Sequence, residues 1–248
     1  MMINMNRMKK IFFVGAGPGD PELFTLKAIN VLKTADLIIY PGSIIGKDVI
    51  SEFGGEKIDS YNKSLEEIVD IMSQAVDEGK TVVRLQSGDP SIYGALDEQM
   101  IELNKRGIDI EIIPGVSSVF ASSAALKKEL TIPGISQAVV ITRPAGKTLD
   151  KDIIEELARL PVTLVILLGM DRLEDVIDKI RKSRGIVPVS IVYHASRADQ
   201  KIVEGDTEDI IDKVKSVGIR RTAVIIVWPE GDKKRSVLYG GNVEENED

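Results

Sequence analysis

The chain contains no cysteine, and that single absence removes disulfides, thiolate zinc sites, iron–sulfur clusters and thiol nucleophiles. It has one histidine, His194, so there is little material for an imidazole centre and no metal site is expected. Long apolar runs are also missing. LVILLGM from Leu164 has strand length, well short of the roughly 18 to 20 residues that a membrane span requires. Positive charge is in deficit, with a net charge of −7. Neither nucleic acid nor a membrane is therefore an expected partner, and any anionic ligand has to meet a local basic patch. The opening MMINMNRMKK is basic but runs directly into IFFVG with no apolar signal segment, so the cytoplasm is the expected compartment.

What is present is an alternation. The 248 residues, 43% hydrophobic and 29% charged, suffice for one large core or two modest ones. Strand-like runs at Lys10 to Val14, Leu37 to Tyr40, Thr81 to Gln86, Ile110 to Ile113 and Val139 to Thr142 are separated by helix-like segments. One such segment, Leu65 to Val76, places Leu65, Ile68, Val69 and Met72 on one face, with Ser64 and Glu67 spaced as a capping box. A second is expected from Ser91 to Lys105, stopping at Gly107. Continuous apolar strands separated by helices indicate an α/β fold with a mostly parallel sheet. The polar segment RPAGKTLD then reads as a linker, so the boundary is expected near residues 143 to 150, giving domains 1–145 and 146–248. Beyond it come a helix at Lys151 to Arg159, a strand at Thr163 to Leu168 and a helix at Arg172 to Lys182. Strands at Val189 to Tyr193, Lys201 to Glu204, Ala223 to Trp228 and Ser236 to Tyr239 follow with less helix between them, which predicts hairpins and a mixed sheet. The acidic tail VEENED reads as solvated.

Three motifs follow strands. VGAGPGD, Val14 to Asp20, sits where α/β sheets bind ligands, and its glycines permit close backbone approach. A Rossmann site needs G-x-G-x-x-G, whereas Asp20 stands where the third glycine belongs and LIIY runs into Pro41 without an acidic ribose reader. A P-loop also fails, because GSIIGKD is one residue short and lacks Ser or Thr after its lysine. VVRLQSGDPSIYG from Val82 brings Gly88, Asp89 and Pro90 to a second strand end, where Asp89 alone would read as a helix N-cap. PGVSSVFASSAAL from Pro114 follows a third strand in the same way.

In this order, V-G-x-G-x-G-D with L-x-T, then R-L-x-x-G-D-P, then P-G-V-S-S, the sequence resembles the S-adenosylmethionine-dependent tetrapyrrole methyltransferases from about residue 10 to 230. TLVILLGM at Thr163 and YHASRADQKIVEG at Tyr193 resemble the family's second-domain strand and following hairpin. ELTIPGISQAVVITR from Glu129 and YPGSIIGKDVI from Tyr40 are most similar to the branch that methylates carbon 11 of precorrin-4 or cobalt-precorrin-4. The resemblance implies two α/β domains with S-adenosyl-L-methionine in the cleft between them, and a homodimer. It places cofactor contacts at Pro18, Asp89, Ile92, Ser117, Ser118, Leu168, Ala195 and Ala223, many of them through the backbone.

Methyl transfer from a sulfonium needs no enzyme nucleophile. It needs a reacting carbon held about 3 to 3.5 Å from the methyl in a pocket that excludes water. The implied substrate is an anionic tetrapyrrole, whose carboxylates call for Arg or Lys. Arg84, Arg143, Lys147 and Arg197 lie on or beside expected strand ends and are the candidates. Tyr40 is a further substrate-contact candidate. Tyr40, Tyr193 and His194 also stand where they could assist proton loss, but no catalytic residue is singled out. Uroporphyrinogen III or another precorrin stands as an alternative substrate. A non-catalytic binding module and a nucleotide-dependent oxidoreductase are the alternatives of other classes.

Overall fold

The computed structural model describes residues 9–146 and 149–231. Among them compactness separates two units. The first holds residues up to Ala121 together with His194–Asp199, and the second runs from Ser122 to Tyr193 and resumes at Gln200. The expected strand at Ser236 to Tyr239, the acidic tail and Lys147 lie outside the described residues.

The first unit is built on β1 (Lys10–Gly15), β2 (Leu37–Tyr40), β3 (Glu56–Asp59), β4 (Val82–Gln86) and β5 (Asp109–Ile113), in the order β3-β2-β4-β1-β5. Every pairing is parallel. Alternate residues feed two cores. Val14, Ile38, Val83 and Leu85 face α1 (Leu26–Leu32) and α2 (Lys47–Ile50), whereas Ile11, Phe13, Ile39 and Val82 face α3 (Leu65–Asp77) and α4 (Leu96–Lys105). The chain leaves β1 toward β2 on one side and leaves β4 toward β5 on the other, so a topological switch point falls between β1 and β4. The capping box of α3 forms as its sequence predicts. Ser64 Oγ accepts from Glu67 N at 3.1 Å, and Glu67 Oε2 accepts from Ser64 N at 2.6 Å.

Two expectations need correction and one strand was not expected at all. α4 begins at Leu96 rather than Ser91, because Tyr93 and Ala95 adopt left-handed backbone, with φ of 52° and 48°, that a right-handed helix excludes. β3, EKID, escapes a hydrophobic reading because it is a charged, exposed edge strand. The break between units precedes residue 143, falling between Ala121 and Ser122 inside α5 (Ser118–Leu126), since β6 (Val139–Thr142) pairs with β7 (Thr163–Ile166) and so belongs to the second sheet.

That second sheet has the order β6-β7-β10-β8-β9, with β8 (Pro188–Tyr193), β9 (Lys201–Asp206) and β10 (Ala223–Val227). Among its described strands only β6 and β7 run parallel, and β8 and β9 form the expected hairpin. α6 (Ile154–Ala158) and α7 (Leu173–Arg184) cover it together with α8 (Ile210–Val217), whose short apolar pattern did not signal a helix. After β6 the chain is pinned by Asp152. Its buried carboxylate accepts from Ala145 N at 2.8 Å, Ile154 N at 3.1 Å and Lys179 Nζ at 3.0 Å.

Candidate active site

The ends of β4, β1 and β5 are neighbours, so the three sequence motifs assemble on one sheet edge. They meet backbone to backbone. Gly17 N donates to Gly88 O at 3.2 Å and Gly88 N to Gly17 O at 2.8 Å, bridging the switch point. A methyl group on Gly15 would lie 2.5 Å from Gly115 N and 2.7 Å from Gly88 O, and one on Gly115 would run into Gly88 O. Space alone requires glycine at both positions.

Asp89 joins two of these loops. Its Oδ1 accepts from Ser91 N at 2.8 Å and from Ser91 Oγ, and its Oδ2 accepts from Gly115 N at 2.9 Å. Burial pushes its carboxyl up, but those hydrogen bonds outweigh burial and hold it below the usual carboxylate value. The carboxylate therefore ties the β4 and β5 loops together, and this bridge replaces the N-cap role. Ile92 follows on the same loop, half-buried. Ser117 is buried, accepting from Val119 N at 3.3 Å, and Ser118 opens α5.

Ala195 joins this assembly because His194–Asp199 belongs to the first unit despite its late place in the chain. The segment straps the glycine loop. Ser196 Oγ accepts from Asp20 N at 3.1 Å, while Arg197 donates to Ile44 O at 2.7 Å and to Pro18 O at 3.4 Å. Gly19 leaves no room for a side chain beneath Arg197. His194 Nδ1 lies 2.8 Å from Asp199 Oδ2. His194 and Ser196 have φ of 46° and 73°, so this strap is held in strained backbone.

In the second unit, Leu168 follows β7, and Ala223 opens the antiparallel β10 opposite Tyr193 at the end of β8, so these positions share one edge. Leu168 is 65% exposed and has φ of 56°. An apolar side chain in water on strained backbone gains nothing within the chain, as suits a side chain that covers a ligand.

The substrate-contact candidates fare differently. Tyr40 is 3% exposed, in the core between β2 and α1, because every residue of LIIY is buried; a substrate contact through its side chain is corrected. Arg84 is 7% exposed, with four neutral acceptors: Gln99 Oε1, Ile39 O, Ser60 Oγ and Leu85 O. Burial pulls its pKa down to about 10, and it is no surface anchor for a carboxylate. Arg197 is engaged with the backbone carbonyls of Pro18 and Ile44. Arg143 stands half-buried just beyond β6, and Lys147 is outside the described residues. Among the described residues no group of three His, Asp or Glu side chains could hold a metal, and no helix is long and apolar enough to cross a membrane.

The sequence profile of the tetrapyrrole (corrin/porphyrin) methylases matches residues 10–211. The chain belongs to the tetrapyrrole methylases. It is 49% identical to the cobalt-precorrin-4 C(11)-methyltransferase of Methanocaldococcus jannaschii, with 97% of this chain and 96% of that one covered. A solved cobalt-precorrin-4 methyltransferase of cobalamin biosynthesis superposes with a TM-score of 0.85 at 38% identity, covering 89% of this chain and 95% of that one. The uroporphyrin-III C-methyltransferase of Thermus thermophilus, complexed with S-adenosyl homocysteine, superposes at 0.77 with 30% identity and 88% and 97% coverage. Membership explains why the three strand-end motifs occur together. The structure adds three polar residues that motif reading passed over: Ser196 in the strap, and Gln86 and Gln99 beneath the β4 loop. Buried glutamines in VVRLQ and LDEQM were the available signal.

Proposed function

We propose that this methylase transfers a methyl group from S-adenosyl-L-methionine to carbon 11 of cobalt-precorrin-4, or of precorrin-4 without the metal, in cobalamin biosynthesis. The observation that carries this reading is the backbone contact of Gly15, Gly88 and Gly115 at the switch point, in a chain that aligns almost end to end with an enzyme named for that reaction. When bound, the donor supplies a sulfonium methyl with a good leaving group, so the protein needs no nucleophile of its own.

What the chain does is hold and exclude. By the resemblance of the motifs, Pro18, Ile92, Ser117, Ser118, Leu168, Ala195 and Ala223 are the residues that would contact the donor, largely through backbone groups. Asp89 fixes the wall between two of these loops, and Arg197 fixes the glycine loop. This fit rests on the tight glycine contacts and on the exposed, strained Leu168. Rigid loops of this kind supply positioning, the main requirement of an in-line displacement. Arg143 and Lys147 remain the basic side chains offered to the macrocycle's carboxylates. A cytoplasmic homodimer that binds neither nucleic acid nor membrane completes the reading, supported by the net charge of −7 and by the resemblance of the motifs.

The test incubates the protein with donor and either cobalt-precorrin-4 or precorrin-4 and follows the macrocycle by mass spectrometry. A gain of one methyl mass is expected, with the cobalt form the better substrate. Gain only with uroporphyrinogen III would transfer the reading to that substrate, the second one favoured by the Thermus similarity. Tight macrocycle binding with no gain on any of them would make the protein a binding module and overturn the proposal.

A further inference from the structure

Beneath the β4–α4 loop lies a buried polar layer that donor binding does not explain. Arg84 Nε donates to Gln99 Oε1 at 3.0 Å, and Gln99 Nε2 in turn donates to Ala95 O at 2.9 Å. Beside this relay, Gln86 Nε2 donates to Gly94 O at 2.9 Å. Arg84, Gln86 and Gln99 are all at most 7% exposed. The two carbonyls they hold belong to an unusual turn. Tyr93 and Ala95 are left-handed, and Gly94 between them has no space for a side chain, which would meet Pro90 O and come within 2.5 Å of Gln86 Oε1.

Each part is unfavourable alone. A buried guanidinium surrounded only by neutral acceptors is desolvated without a counter-charge, and Gln86 Oε1 is buried with no donor. Two non-glycine residues in left-handed backbone add strain. A fold that needed only to connect β4 to α4 has cheaper turns available. What the layer holds directly is the backbone of Gly94 and Ala95, immediately after Tyr93, a residue that is 43% exposed on the loop leaving β4 at the edge where the three motifs gather.

We propose that Tyr93 is a contact residue for the tetrapyrrole macrocycle, and that Arg84, acting through Gln99 and beside Gln86, is the positioning residue that holds it there. An exposed phenol ring offers a flat apolar face with a polar rim, which suits a conjugated ring bearing carboxylates. Asp89 is anchored independently by Ser91 and Gly115, so the donor wall does not depend on this relay. The inference rests on the proposed methyl transfer to a tetrapyrrole.

The experiment compares Tyr93→Leu, Arg84→Lys and their double variant with the unaltered protein. It measures KM for the macrocycle, kcat, and donor affinity by calorimetry. Arg84→Lys keeps the charge and loses the planar fork. Each single variant should raise KM for the macrocycle about tenfold, with kcat and donor affinity within about twofold, and the double variant should be no worse than either single one. Should Arg84→Lys fail to fold, Gln99→Met breaks the same relay at similar volume and carries the same expectation. Unchanged KM in Tyr93→Leu overturns the contact. Additive losses, or donor affinity falling in step with KM, overturn the positioning role. Absence of turnover in the unaltered protein would count against the proposed function instead, so the two failures are distinguishable.

Discussion

The two sheets build their strand-end edges by opposite means. In the first, all strands are parallel and the edge closes on itself through glycine backbones, with Gly15, Gly88 and Gly115 in mutual contact. In the second, the sheet is mixed and its edge projects Leu168 outward on strained backbone. The contrast teaches that one sheet edge is shaped by the absence of side chains and the other by the presence of one.

The largest effect should come from filling the first edge. Gly15→Ala pushes a methyl into the backbone of residues 88 and 115, which cannot give way as a side chain does, and should destabilise by about 3 kcal/mol or more. Gly169→Ala in the second unit meets side-chain atoms alone, Ile225 Cδ1 at 3.0 Å, Ile166 Cγ2 at 3.1 Å and Pro144 Cδ at 3.8 Å, and should cost about 1 kcal/mol or less. Urea titrations of both variants measure the difference, and equal losses would erase the contrast.

Two carboxylates allow a second comparison. Asp152 in the second unit ties down the chain just after β6, and Asn in its place should lower stability by about 2 to 3 kcal/mol without altering donor affinity. Burial raises the pKa of Asp152, but its bonds to Ala145 N, Lys179 and Ile154 N prevail and hold it below the ordinary value. Its folded pKa is thus the lower one. Its stabilisation is complete above the unfolded value of about 3.9 and fades as pH falls from there through the folded value. The acid slope of stability below about pH 4 should flatten in Asp152→Asn. Asp89→Asn should do the reverse, weakening donor binding several-fold by calorimetry with a smaller stability loss; unaltered affinity would separate that loop from the donor.

Leu168→Gly should have the smallest effect on the fold and a sign opposite to the others. Removing a side chain that is 65% exposed and strained should stabilise the protein by up to about 1 kcal/mol while reducing donor affinity. Lower stability together with full affinity would remove Leu168 from the site.

Much of this was legible before any coordinates. The parallel first sheet, the capping box on α3 and the gathering of VGAGPGD, SGDP and PGVSS at one edge follow from apolar runs, spacing and glycine placement. The charged edge strand EKID and the helix Ile210–Val217 were not legible, because one buries almost nothing and the other shows too few turns for a period. Among site residues, Tyr40 and Arg84 misled for a single reason. Proximity to a strand end says nothing about which face a side chain takes, and both point into cores. The strap from His194 to Asp199 was seen as a motif, but its attachment to Pro18, Asp20 and Ile44 is a contact across most of the chain that no local pattern encodes.

The most direct test of the account uses a donor carrying a carbon-13 methyl group with cobalt-precorrin-4 and locates the label in the product by NMR. The account predicts a single labelled methyl on the quaternary carbon 11. A label on any other ring carbon, or an unlabelled macrocycle after prolonged incubation with bound donor, would contradict it.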